Sequence, residues 1–114
     1  MANTFKSETD TAVGTGGSTV YTCPSATQTT AIGLTIANIV TSQIEVDVEL
    51  DASGRTSGAE DSVYLIKAAP VPVGSSLVVI GGEQKVVLEP GDAIVVTSNT
   101  ASSADVALSI LEIS

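Results

Sequence analysis

The clearest pattern in the chain lies at residues 44–50, where Ile44, Val46, Val48 and Leu50 interleave with Glu45, Asp47, Glu49 and then Asp51. A period of two puts the four aliphatics on one strand face and the four acids on the other. Runs of β-branched and aliphatic residues between turn signals predict further strands over 18–23, 29–40, 62–68, 76–80, 83–88, 93–98 and 105–113. Within 29–40, Ile32, Leu34 and Ile36 share one face. Pro24 ends the first of these strands. Pro70 and Pro72 mark an edge or crossover, because proline has no ladder donor.

The turns are equally legible. Gly81-Gly82 reads as a two-residue hairpin between 76–80 and 83–88. Glu89-Pro90-Gly91-Asp92 reads as a type II turn, with proline fixing φ and glycine accepting positive φ. Residues 52–61 form a long polar loop, and 99–104 a second. Residues 1–17 are polar and rich in Ser, Thr and Gly, which predicts a flexible arm with Phe5 as its one anchor. About eight strands with no helical period predict a single all-β domain over 18–114. The expected fold is an antiparallel β-sandwich of jelly-roll or immunoglobulin-like type.

A two-layer sandwich buries one face of each strand, so its strands should alternate. Several here do not. Val63-Tyr64-Leu65-Ile66, Leu77-Val78-Val79-Ile80, Val86-Val87-Leu88 and Ile94-Val95-Val96 are apolar at successive positions, and Leu108–Ile113 is mixed. A buried Val or Leu contributes about 1.5–3 kcal/mol, so a second wet apolar face forgoes stability and invites association. The candidate contact residues are Val63, Leu65, Leu77 and Val79, with Val87, Val95, Leu111 and Ile113. Self-association is the expectation they carry.

Composition narrows the chemistry. The 114 residues suit one domain that buries about two-thirds of its unfolded surface. Thirteen acids against four bases give a formal charge of −9, which repels phosphate backbones and anionic membrane surfaces. With only three aromatics there is no stacking platform for single strands. The chain has no His, which removes most acid–base and metal schemes, so neither an enzyme nor a cofactor is expected. Its single cysteine, Cys23, reads as a small buried hydrophobe. The ladder Glu45, Asp47, Glu49, Asp51 reads as a solvated face, since same-face neighbours sit about 6.5–7 Å apart, too far to share one cation. The first residues lack the apolar stretch of a signal peptide, and no segment has the length of a membrane helix, so synthesis in a cytosol is expected.

The run YLIKAAPVPVGSSLVVIGGEQKVVLEPGDAIVVTS, with VYTCPSATQTTAIGLTIAN before it and SILEIS after it, resembles small virion proteins of tailed bacteriophages, particularly those of marine and cyanobacterial hosts. The likeness covers nearly all of 18–114 and lies in the order of its turns rather than in any site. It implies a virion structural protein, foremost a capsid decoration protein on the major capsid protein, or else a neck or tail component. It also implies a homotrimer assembled in the host cytoplasm. A receptor- or glycan-binding module and a hydrolase are the competing classes, both weakened by the scarcity of aromatics and the lack of His.

Overall fold

The structure is a computed structural model that describes residues 3–81 and 83–114. Nine strands follow one another: β1 (Asn3–Val13), β2 (Ser18–Thr22), β3 (Gln28–Asn38), β4 (Ile44–Asp51), β5 (Val63–Val71), β6 (Ser76–Ile80), β7 (Val86–Leu88), β8 (Ala93–Ser98) and β9 (Ala104–Ile113). They form two antiparallel sheets. Sheet A has the order β1-β9-β3-β6, with β7 also on β3, and sheet B has the order β2-β8-β4-β5. The chain is all-β, as its periodicity predicts.

Strand order decides between the two sandwich topologies. Strand β6 pairs with residues 34–37 of β3 and β7 with residues 29–31, both antiparallel, so they lie end to end on one edge. Counted as one interrupted strand, they complete a nested set: β1 with β9, β2 with β8, β3 with β6 and β7, and β4 with β5. That winding is a jelly roll. An immunoglobulin-like sandwich needs hairpins between several successive strands, and here β4–β5 is the one sequential pair in the described ladders.

Three expectations are corrected. The hairpin at Gly81-Gly82 is not formed, because β6 and β7 both run antiparallel to β3 and not to each other; Gly82 itself lies outside the described residues. The arm over 1–17 is, from Asn3 to Val13, an edge strand laddered to β9 from Asn3↔Ile113 to Val13↔Ala104. Alternating Ser and Thr with few large apolar residues disguise it as a tail. Ile32 does not share a face with Leu34 and Ile36. A register shift between Ala31 and Gly33 turns it outward while Ala31 and Leu34 both face the core.

Bulges also account for much of the surplus of apolar residues. A shift at Leu34/Thr35 against β6 leaves Ile80 buried and Leu77 and Val79 packed on the core margin. Shifts between Val46 and Glu49 against β5 do the same for Leu65 and Ile66. The interior is Leu34, Ile36, Leu108 and Ile110 from sheet A against Ile44, Val46, Val48, Ile94 and Val96 from sheet B, all fully buried. The Pro90-Gly91 turn forms as its sequence requires: Asp92 N donates to Glu89 O at 2.9 Å and Gly91 has φ +92°.

Candidate functional site

The two sheets present outer faces of opposite character. On sheet A, the register sets Phe5 (β1) beside Leu111 (β9), Leu111 beside Thr30 (β3), and Thr30 beside Val87 (β7), one row across the sheet. A second row is Ser7, Ser109 and Gly33, and a third is Thr9, Ala107, Thr35 and Val78. Phe5 is 74% exposed, Val78 64% and Val87 63%. At the outward positions of the paired strands of this sheet the charged residue is Asp105, while exposed Glu83 and Lys85 lie in the interruption between β6 and β7 at its edge. Asp105 accepts hydrogen bonds from Thr11 Oγ1 (2.6 Å) and Ala12 N (3.1 Å) at one end of the face. It also lines an open concavity of about 460 Å³, together with Thr9, Asp10, Thr11, Thr35, Ala37, Val106 and Ala107.

On sheet B, the acidic ladder of β4 faces water as the alternation predicts. Asp47 accepts from Lys67 Nζ (3.1 Å) and Ala68 N (2.7 Å), and Lys67 also lies 4.5 Å from the centre of the Tyr64 ring. Asp51 accepts from Ser53 Oγ (2.6 Å), Ser53 N (3.0 Å) and Ser62 Oγ (3.0 Å), and these bonds hold its carboxyl below the usual range. Two of the four acids of the ladder are thus occupied by neighbouring backbone and side chains. Among the described residues no three of His, Cys, Asp and Glu are placed to hold a metal ion.

The sheet edges are guarded. On β1 the inward-facing positions opposite Ile110, Leu108 and Val106 are Lys6, Glu8 and Asp10, charges that oppose the docking of another strand. Lys6 pairs with Glu112 (3.6 Å) and Glu8 (3.9 Å), and Ser18 donates to Asp10. At the same margin the Tyr21 hydroxyl donates to Glu112 Oε2 (2.5 Å) and meets Thr29 Oγ1 (2.8 Å). Burial, then the Glu112 bond, pushes the Tyr21 phenol well above its ordinary value. Strand β2 is short and bulged, β5 carries Pro70 and register shifts, and the β6–β7 edge is interrupted.

One polar centre was not singled out from the sequence. Arg55, the sole arginine, reaches from the β4–β5 loop to grip Asp92 with Nε–Oδ1 at 2.9 Å and a terminal nitrogen to Oδ2 at 2.8 Å. Asp92 is fully buried and also accepts from Glu89 N (3.0 Å). Burial opposes its charge, but the Arg55 fork and the Glu89 N–H outweigh it and hold the carboxyl below the usual range. Thr56 N donates to Pro90 O (2.9 Å), so the polar loop is strapped to the turn. Cys23 completes the corner, its N–H donating to Asp92 O (2.8 Å) and its carbonyl accepting from Gly91 N (3.0 Å). Burial pushes its thiol up, which keeps it protonated and inert. The sole arginine of the chain, set in a polar loop with an acidic turn downstream, is the available signal.

The candidate contact residues scatter. Phe5, Val87, Leu111 and Ile113 meet on the outer face of sheet A. Val95 lies half-buried on the outer face of sheet B between Thr19 and Glu49. Val63 is half exposed near the end of that sheet, while Leu65, Leu77 and Val79 pack on the core margin. Val78 belongs with the first group and was missed, because the bulge beside it is invisible to a period of two.

No family model matches the chain, and no curated protein matches it. Among solved structures, it is similar to a chain from work showing that Bacillus endospore appendages form a novel family of disulfide-linked pili. The superposition covers 99% of this chain and 87% of that one, with a TM-score of 0.51 and 13% identity, a likeness of fold.

Proposed function

We propose that this protein is a structural subunit without catalysis or cofactor, acting by packing on copies of itself and on neighbouring proteins of a virion. The leading placement is capsid decoration on the major capsid protein of a tailed bacteriophage, with the neck or tail as the alternative. The observation that carries the structural role is the charge-poor outer face of sheet A, with Phe5, Val78 and Val87 mostly exposed in a chain of charge −9. Surfaces of that kind mark contact sites. The order of turns over residues 18–114 supports the virion setting through the resemblance to small phage structural proteins.

A second reading, a subunit of an extracellular fibre, is favoured by the fold likeness to the endospore pilus chain. With Cys23 buried and no other cysteine, folded copies of this chain are not joined to one another by disulfides.

Mass-spectrometric counting on purified particles tests the placement. Hundreds of copies support decoration, and a dozen or fewer move the protein to the neck or tail. Absence from the particles, with recovery from surface fibres, gives the second reading.

A further inference from the structure

We propose that the outer face of sheet A pairs with the same face of a second copy of this chain, about a two-fold axis running across the strands at the level of Ser109. The pairing rests on the structural role proposed above and names the surface, the occupant and the geometry.

Three observations select the face. Each sheet edge is blunted, by inward charges on β1, by bulges on β2 and β5, and by the interruption between β6 and β7. Copies of a −9 chain meeting through sheet B would set Glu45, Asp47, Glu49 and Asp51 against acids of their own kind. Sheet A sets one acid, Asp105, at its outward strand positions, and that acid lies away from the Ser109 level. A foreign partner of positive charge would find its complement on sheet B, which leaves the plain face suited to a second copy.

The relief of the face is self-complementary. Phe5, Leu111 and Val87 make a ridge across one end. The concavity over Thr9, Thr35, Ala37 and Ala107, with Asp10 and Asp105 also lining it, makes a dent at the other. Ser109, with Ser7 and Gly33 beside it, lies midway along β9 between Leu111 and Ala107. A two-fold axis at that level lays the ridge of each copy in the dent of the other. An isologous contact of this form closes on itself.

The area suffices. Nine residues of β1 at about 3.3 Å each, across four lanes about 4.8 Å apart, span roughly 550 Å². Two copies then bury about 1,100 Å², above the roughly 1,000 Å² that a specific interface needs.

The test uses the full chain. Light scattering should give twice the 11.4 kDa chain mass. Ser109→Cys should be joined into a covalent pair by a short bis-maleimide, and Glu49→Cys, on the opposite outer face, should not. Phe5→Ala should weaken the pair about 30-fold, as loss of an aromatic anchor does. Because Phe5 is exposed, its circular dichroism and melting as a monomer should be unchanged. A monomer at high micromolar concentration overturns the pairing, as does a trimer, the state implied by the phage resemblance. So does an oligomer that crosslinks through Glu49→Cys and not Ser109→Cys. A monomer that is nonetheless recovered on particles removes the pairing and leaves the structural role. A crosslinked pair from a protein absent from every particle and fibre does the reverse.

Discussion

The outer faces of sheets A and B are built on the same plan and given opposite chemistry. Each lies over a strip of fully buried aliphatics, and its strands alternate between core and surface except where bulges shift the register. On sheet B the surface positions of β4 are all acids, and two of the four are engaged locally, Asp47 by Lys67 and Ala68, Asp51 by Ser53 and Ser62. On sheet A they are Ser, Thr, Ala and Gly with a few exposed apolar side chains, and the one acid is tied to Thr11 and Ala12. The proposed contact surface is therefore marked less by an excess of hydrophobicity than by a local lack of charge. In a chain with thirteen acids, a face of some four lanes with a single one at its end is the informative departure.

The comparison breaks most forcefully through its acids. Asp92, buried beneath the sheet B side, is expected to matter most. Asp92→Ala leaves the Arg55 fork without its carboxylate and should cost about 3 kcal/mol in urea unfolding, the scale of a broken buried pair. Asp105→Ala, on the plain face, loses two exposed hydrogen bonds and should cost about 1 kcal/mol or less. Equal costs would mean that the corner is no more than a surface feature. Because the folded Asp92 value lies below the unfolded one, its contribution is complete above about pH 4 and fades as pH falls further. Wild type should show that acid limb, and Asp92→Ala should flatten it.

At the margin between the faces, Tyr21 supplies the alkaline counterpart. Its phenol is held neutral by burial and by Glu112, so its folded value is raised above the ordinary one of about 10. Stability from this group is in place below about pH 10 and is lost as pH climbs through the folded value. Tyr21→Phe removes both hydrogen bonds and should cost about 1 kcal/mol near neutrality. It should also abolish the alkaline limb in thermal melts followed against pH. A limb that survives the substitution would assign it to another group.

How much of this was legible beforehand follows from what a period of two can carry. Ile44–Asp51 announced both its faces, and Glu89–Asp92 its turn, because each depends on neighbours in sequence. Lane order depends on pairing between residues as far apart as Asn3 and Ile113, which leaves no local trace. The bulges at Ala31/Gly33 and Leu34/Thr35 displace the alternation by one residue. That is why a strict period of two puts Ile32 inward, leaves Val78 out of the contact set, and makes Leu77 and Val79 look surplus. Strand β1 was read as an arm because its outward Ser and Thr and inward charges carry almost no apolar signal. The same composition that hid the strand makes the plain face.

The smallest expected effect sharpens the contrast most cleanly, because it leaves the fold alone. Glu49 sits mid-ladder on β4, opposite Tyr64 and Val95, with Asp47 and Asp51 two residues away on the same face. Same-face neighbours on a strand are about 6.5–7 Å apart, within the Debye length of about 10 Å at 0.1 M salt. Glu49→Gln keeps the shape and removes one like charge from the row, so it should stabilise the protein by about 0.5 kcal/mol at low ionic strength. Near 1 M salt, where the Debye length falls to about 3 Å, the gain should vanish. Thr35→Ser on sheet A changes no charge, and whatever it does to stability should be independent of salt. Urea titrations of both variants at the two ionic strengths check the pair. A salt-dependent Thr35→Ser, or a salt-independent Glu49→Gln, would mean that the electrostatic division between the faces is not the one drawn by their residues.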